Sequence, residues 1–148
     1  MEKIDYDDDY PTCVETYSTL RIFGDKISPV EITKILKIKP TRSFQKGEPF
    51  SKKRLVRKTN SWFLCTEKSV KSRDTRRHID FILRVVEKKT SAVKLLKRKG
   101  CKLDIVSYFV SIGQGGPMLS PHQMLKLGKL DVGIGWDIYF QEESRKTK

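Results

Sequence analysis

Residues 27–32 read Ile-Ser-Pro-Val-Glu-Ile, and this short stretch decides more of the fold than any other part of the chain. The Ser28 side chain can accept a hydrogen bond from the backbone N–H of Glu31, whose carboxylate can accept one from the backbone of Ser28. Pro29 stands at the first helical position, where its fixed φ suits a helix and its missing N–H costs nothing. The pattern therefore predicts a helix that begins at Pro29 and ends before Pro40.

The same device returns in residues 119–124, which read Leu-Ser-Pro-His-Gln-Met. This pattern of reciprocal hydrogen bonds at a helix start is called a capping box. Each of the two capping boxes follows an apolar, strand-like run and precedes a second such run, which gives two strand–helix–strand halves. Between the halves, amphipathic helical spacing begins near Ser72 or Asp74 and continues to Lys99, with an interruption at residues 88–91. Duplication of one half and independent use of a good helix start both remain open. The strand candidates are residues 14–23, 61–66, 103–112 and 135–140.

These strands alternate between apolar and polar residues, which is typical of a sheet with one covered face. We therefore predict an α+β fold: a two-layer sandwich in which a four- to five-stranded, mainly antiparallel sheet carries helices on one face. A ferredoxin-like topology with pseudo-duplication is the leading candidate for the connections. Residues 40–60 are predicted to form a long loop, with room for a short edge strand.

Length and composition indicate one domain that needs no cross-links. The chain has 148 residues and a formal net charge of +13, and a chain of this size buries about 68–70% of the surface that it exposes when unfolded. We place a single α+β domain at residues 14–142, between a flexible acidic tail at residues 1–13 and a second flexible tail at residues 143–148. The three cysteines are an odd number without paired spacing, and neither a signal peptide nor a membrane span is visible. These features predict a cytoplasmic protein with no membrane partner.

Several short motifs match, in the same order, those of one known family. They are Phe23-Gly24, the helix start at residues 28–32, residues 36–43, Lys46-Gly47, Ser61-Trp62, residues 115–120, Leu130-Asp131 and Asp137-Ile138-Tyr139. Over roughly residues 14–142 the chain thereby resembles the uncharacterised bacterial domain-of-unknown-function 4279 family. The resemblance implies no established activity, but it implies a possible immunity role, because such families often lie beside toxin genes. The strong positive charge departs from the acidic character expected of an immunity protein that covers a nuclease.

No motif predicts a catalytic, metal-binding or cofactor-binding residue, and we assign none. His78 lies on the predicted buried face of the connecting helix, where a lone histidine is typical of the core, and His122 lies in an exposed first turn. The acidic run at residues 5–9 begins like a calcium loop, but Tyr10 and Thr16 stand where that loop requires Gly and Glu. We interpret the run as a solvated tail that can fold back on the basic surface.

Uneven positive charge is the strongest functional signal in the chain. Residues 37–58 contain nine Lys or Arg and a single Glu. Cations that neutralise phosphates give salt-dependent binding, and interleaved aromatic residues such as Phe44 and Phe50 can stack on bases. Trp62 also lies nearby, although its apolar run favours the core. The residues predicted to bind a partner or a polyanion are Arg42, Lys46, Lys52, Lys53, Arg54, Arg57, Lys58, Arg73, Arg76 and Arg77.

A glycine-rich turn precedes the second capping box and has two interpretations. Gly113, Gly115 and Gly116 could expose backbone N–H groups to an anion near a helix N-terminus. The alternative is a turn that needs positive φ.

Two functional hypotheses follow from the surface. The first is a non-enzymatic binding protein, immunity- or inhibitor-like, that docks an acidic protein partner through residues 42–58 and the turn at residues 113–117. The second is a nucleic-acid-binding module that uses the same loop together with Arg73, Arg76 and Arg77.

Overall fold

The computed structural model describes residues 4–52 and 54–142. Within them the chain forms a five-stranded sheet, a two-stranded hairpin and four α-helices, with a 3₁₀ turn at Glu87–Lys89 between two of the helices. The strands are β1 (Cys13–Gly24), β2 (Arg42–Phe44), β3 (Pro49–Phe50), β4 (Leu55–Val56), β5 (Asn60–Cys65), β6 (Lys102–Ser111) and β7 (Gly133–Phe140). The helices are α1 (Pro29–Leu36), α2 (Thr75–Val86), α3 (Thr90–Arg98) and α4 (Pro121–Leu130).

The large sheet has the strand order β2-β5-β1-β6-β7. All neighbouring strands pair antiparallel except β6 and β7, which are parallel and joined through α4. The predicted α+β sandwich with a mainly antiparallel sheet is confirmed. Residues 40–60, predicted as a loop with a short edge strand, contain that edge strand as β2 and also the hairpin β3–β4.

Only one face of the sheet is covered by helices. Along β1 and β6, buried and partly exposed residues alternate, as a strand between a core and solvent requires. Leu20 and Ile22 face the core, where they pack with Ile32 of α1 and Ile79 of α2. We call the opposite side, which carries Arg21 and its neighbours at alternate positions, the open face.

Both predicted capping boxes are present. Ser28 Oγ accepts a hydrogen bond from the Glu31 backbone at 3.2 Å, and Ser120 Oγ accepts one from the Gln123 backbone at 3.1 Å. The two halves nevertheless differ in strand sense, because β1 pairs antiparallel with β5 whereas β6 pairs parallel with β7. A ferredoxin-like topology is therefore not shown.

Ser120→Ala should lower the free energy of unfolding by about 1 kcal/mol, since it leaves an N-terminal backbone N–H of α4 without its acceptor. Urea denaturation of the variant and of wild type measures this difference. Ser91→Ala is the matched control, because Ser91 is exposed inside α3 and the change should leave stability equal or slightly raised. An equal loss in both variants would contradict the capping role.

The predicted domain limits at residues 13/14 and 142/143 stay a prediction, and residues 143–148 lie outside the described part of the chain. Within residues 4–52 and 54–142, no helix combines the length and hydropathy needed to cross a membrane.

Candidate functional site

Three phenylalanine rings form a cluster on the open face at the β2 side of the sheet. Phe63 of β5 lies at its centre, with ring centroids 5.8 Å from Phe23 of β1 and 6.1 Å from Phe44 of β2. All three rings are partly exposed, because no helix covers this face. The cluster is therefore an apolar, aromatic surface in contact with solvent.

Arginine side chains lie against these rings. The Arg42 guanidinium lies 5.9 Å from the Phe63 centroid, and that of Arg57 lies 3.7 Å from Phe44 and 4.3 Å from Phe50. Arg57 thus connects the hairpin β3–β4 to the sheet, and its Nε is buried without a hydrogen-bond partner among the residues that the structure describes. Cations over rings are stabilised by the ring quadrupole, which leaves their positive charge available to an anion.

Arg21 lies 5.2 Å from the Phe23 centroid and is paired with Asp104 at 2.7 Å. The predicted cations of residues 42–58, in contrast, have no carboxylate partners within the described residues. No ion pair joins any of six of the predicted side chains to an acidic group there. We call these six residues the basic rim: Arg42, Lys46, Lys52, Arg54, Arg57 and Lys58. Lys53, also predicted, lies outside the described residues.

The other half of the open face is aromatic but not basic. Tyr108 stacks on Tyr17 at 4.7 Å and lies 5.3 Å from Tyr139. The nearby carboxylate of Asp137 raises the pKa of Tyr139, which indicates a locally negative potential. The tyrosine half of the open face therefore presents its rings beside a carboxylate.

The predicted arginines of residues 73–77 do not join the basic rim. They lie at the start of α2, which packs on the covered face, and two of them are bound to acidic side chains. Arg76 contacts Asp74 at 2.6 Å, and Arg77 contacts Asp8 at 2.6 Å. The structure thus separates the nine described members of the predicted set into two groups on different layers of the sandwich.

The glycine turn packs against the N-terminal segment. Gly115 has φ +121°, and an added Cβ would clash with the Tyr10 hydroxyl and Thr12. The Gly116 N–H donates to Tyr10 Oη at 3.3 Å, so this backbone donor is occupied. Positive φ and close packing therefore account for Gly115 without an anion.

His78 is fully buried and satisfied on both ring nitrogens. Its Nε2 donates to the Ser72 carbonyl at 2.9 Å, because that oxygen can only accept, and this leaves Nδ1 to accept from the Thr66 hydroxyl at 2.6 Å. Thr66 Oγ1 in turn accepts the Ser18 backbone N–H at 3.0 Å. The network holds a neutral imidazole in the core, as the sequence analysis expected of a lone histidine on this face.

Stability should fall as the pH decreases from about 7 to 5, because burial lowers the pKa of His78 below its ordinary value of 6.5. The unfolded chain takes up a proton below that value before the folded chain does, so the contribution is present above pH 6.5 and lost as pH falls through the folded pKa. Urea unfolding at several pH values tests this. His78→Gln should be less stable at pH 7 and should show a shallower pH dependence. A wild-type curve that is flat over this interval would contradict the assignment.

Other groupings do not suggest a catalytic or metal site. The described residues contain no cluster of three His, Cys, Asp or Glu side chains that could hold a metal ion. A surface depression of about 530 Å³ lies between the β1–α1 turn and the end of α3, lined by Asp25, Glu31, Lys26, Arg98 and Lys99 among others. Its lining combines two carboxylates with three cationic side chains and contains no histidine or cysteine.

Sequence reasoning identified Phe44 and Phe50 but missed Phe23 and Phe63. The missed signal was the alternation in β5: Trp62 faces the core, so Phe63 must face the opposite side. Trp62 is fully buried, which confirms the core interpretation made from its apolar run.

A protein-family model described as a domain of unknown function, DUF4279, matches residues 14–141. No curated protein and no solved structure matches the chain.

Proposed function

The chain belongs to the DUF4279 family, a domain of unknown function, and we propose that it binds single-stranded nucleic acid on the open face of its sheet. The observation that carries this proposal is the pairing of arginines with exposed or partly exposed rings. Arg42 and Arg57 lie over Phe63, Phe44 and Phe50, and neither guanidinium is neutralised by a carboxylate of the described residues. We propose that the protein acts by binding and not by catalysis.

Single-stranded nucleic acid offers two groups that complement this surface, namely unstacked bases and phosphates. Unstacked bases have π-faces that stack on aromatic side chains, with about 1–3 kcal/mol per base, and the phosphates between them bind cations. The phenylalanine cluster supplies the rings, and the basic rim, two of whose arginines lie over aromatic rings, supplies the cations. Exposed aromatic residues on an open sheet are the arrangement that some single-strand RNA-binding modules use.

Duplex DNA fits this surface less well. Readers of the major groove insert a helix or a β-ribbon into it, whereas the helices here pack on the covered face of the sheet. The rings on the open face are reached by bases only when those bases are unpaired. We therefore propose an unpaired strand as the ligand.

The proposal is tested by titrating the protein into a labelled single-stranded oligonucleotide at several salt concentrations. If the six cations of the basic rim each meet a phosphate, the plot of log K against log salt should have a slope of about −4, from about −0.7 per contact. Absence of binding at about 50 mM salt would overturn the proposal.

A matched pair of double variants separates this site from general positive charge. Arg42→Ala/Arg57→Ala removes two cations from the rings, and Lys88→Ala/Lys129→Ala removes two exposed cations from the helix layer. The first pair should lower affinity strongly and reduce the slope by about 1.4, since two phosphate contacts are lost. Equal effects of the two pairs would mean that only net charge matters.

An acidic protein partner is the second candidate, favoured by the hairpin β3–β4. Phe50, Leu55 and Val56 are 45%, 52% and 58% exposed, and Lys52 and Arg54 lie between them in sequence. Protein interfaces combine apolar anchors with a charged periphery in this way. An immunity- or inhibitor-like role belongs to this candidate. Binding of a polyglutamate peptide that depends on Arg54 but not on Phe63 would favour it.

We propose the cytoplasm as the location of either activity. Cys13, Cys65 and Cys101 are all free thiols, as a reducing compartment maintains them.

A further inference from the structure

The acidic segment at residues 5–8 lies on the arginines at the start of α2. Asp8 accepts two hydrogen bonds from Arg77, at 2.6 Å from Nε and 2.8 Å from Nη2, and a third from Ser72 at 2.6 Å. The Asp7 backbone donates to Asp74 at 2.8 Å. The segment is therefore bound in a defined position on α2.

Tyr6 adds an aromatic contact to the same cluster. The Arg77 guanidinium lies 4.1 Å from the centroid of the Tyr6 ring. The Tyr6 hydroxyl donates to the buried carboxylate of Asp80, whose other oxygen accepts from Gln123 Nε2 at 2.9 Å. Arg84 Nη2 donates to the Tyr6 hydroxyl at 3.5 Å. Arg77 thus holds a ring and a carboxylate at once.

A ring and an anion on one guanidinium are what a nucleotide presents through its base and its phosphate. The planar guanidinium binds a carboxylate or a phosphate through two parallel hydrogen bonds and also stacks on flat rings. The segment therefore offers Arg77 a ring and an anionic group, the same two groups that an unpaired nucleic-acid strand would offer.

The ion pair that holds the segment is open to competition. The Arg77 and Asp8 side chains are 40% and 44% exposed, and ion pairs exposed to this degree contribute only about 0–1 kcal/mol. The Arg76–Asp74 pair is more buried, at 20% and 6% exposure, and Asp74 also caps α2 through the Arg76 backbone. An incoming phosphate can therefore displace Asp8 from Arg77, while Asp74 stays in place.

We propose that Arg77 and Arg84 form a second site for single-stranded nucleic acid, which residues 5–8 close as an intramolecular competitor. This inference rests on the proposed function for the class of ligand, but the site lies on the helix layer and not on the open face. It assigns the acidic N-terminal run a regulatory role, because the strand must displace the run before it reaches α2.

The test compares two variants that remove the same charge from the acidic run. Asp8→Asn breaks the contact with Arg77, whereas Asp9→Asn removes an exposed carboxylate that makes no contact in the described structure. Binding of a labelled single-stranded oligonucleotide is measured across salt concentrations. Asp8→Asn should raise affinity about five-fold, in line with an exposed ion pair, and should steepen the salt slope by up to about 1.4, from two added phosphate contacts.

Two further variants complete the test. Tyr6→Ala should raise affinity in the same direction through loss of the ring contact. Adding Arg77→Gln to Asp8→Asn should cancel the gain, because the released guanidinium is then absent. Equal gains for Asp8→Asn and Asp9→Asn would overturn the proposal, and so would a gain that survives Arg77→Gln.

Each variant is also placed in the Arg42→Ala/Arg57→Ala background, which weakens the open-face site. A gain from Asp8→Asn in that background supports the second site even if the open face proves not to bind. No gain in either background overturns the second site and leaves the open face to be decided by its own variants.

Discussion

Phe63→Ala should weaken the binding of a labelled single-stranded oligonucleotide by a factor of roughly 10 to 100 at constant salt. The ring of Phe63 lies between Phe23 and Phe44 and beneath Arg42, so its loss removes the centre of the stacking surface. A loss of this size corresponds to about 1–3 kcal/mol, the contribution of one stacked base. Fluorescence anisotropy at about 100 mM salt measures the change, and because no charge is removed the salt slope should stay nearly constant.

Phe140→Ala is the matched control for this prediction. Phe140 is 80% exposed at the end of β7, the edge strand farthest from β2, so the same change in side chain falls far from the basic rim. The affinity of Phe140→Ala for the oligonucleotide should equal that of wild type. An unchanged affinity for Phe63→Ala, or an equal loss for both variants, would contradict stacking on the phenylalanine cluster. A loss of oligonucleotide binding without loss of polyglutamate binding would separate the two candidate functions.

Local sequence signals predicted the parts of the fold that are determined locally. The hydrogen bonds of a capping box join residues three positions apart, so the sequences around Ser28 and Ser120 predicted the starts of both helices. The parallel pairing of β6 with β7 could not be predicted in this way. Strand sense depends on where α4 packs, and that packing joins residues distant in sequence, such as Gln123 of α4 and Asp80 of α2.

The candidate site was predicted as a charge pattern but not as a geometry. In the sequence, Arg54 and Arg77 are equivalent cations, and only the structure shows that Arg77 is bound to Asp8, 69 positions away. The exposure of one ring, that of Phe63, could have been predicted. Since adjacent residues of a strand face opposite sides, the placement of Trp62 in the core implied that Phe63 would be exposed to the other side.

Trp62→Ala, one position before Phe63, should have the largest effect on stability, a loss of about 3–5 kcal/mol in the free energy of unfolding. Trp62 is 0% exposed, packs in the core beneath α1, and donates from Nε1 to Thr33 Oγ1 at 3.0 Å. Small domains are stable by only about 5–15 kcal/mol, so the loss approaches the whole stability of the fold.

Urea denaturation should place the three aromatic variants in a definite order. Trp62→Phe keeps most of the buried ring and loses one hydrogen bond, so it should lie between wild type and Trp62→Ala. Phe63→Ala should stay within about 1–2 kcal/mol of wild type, because its ring is only half buried. If Phe63→Ala proved as destabilising as Trp62→Ala, its loss of binding would reflect unfolding and the open face would lose its assigned role. The opposite orientations of these two neighbours therefore allow one strand to test the fold and the function separately.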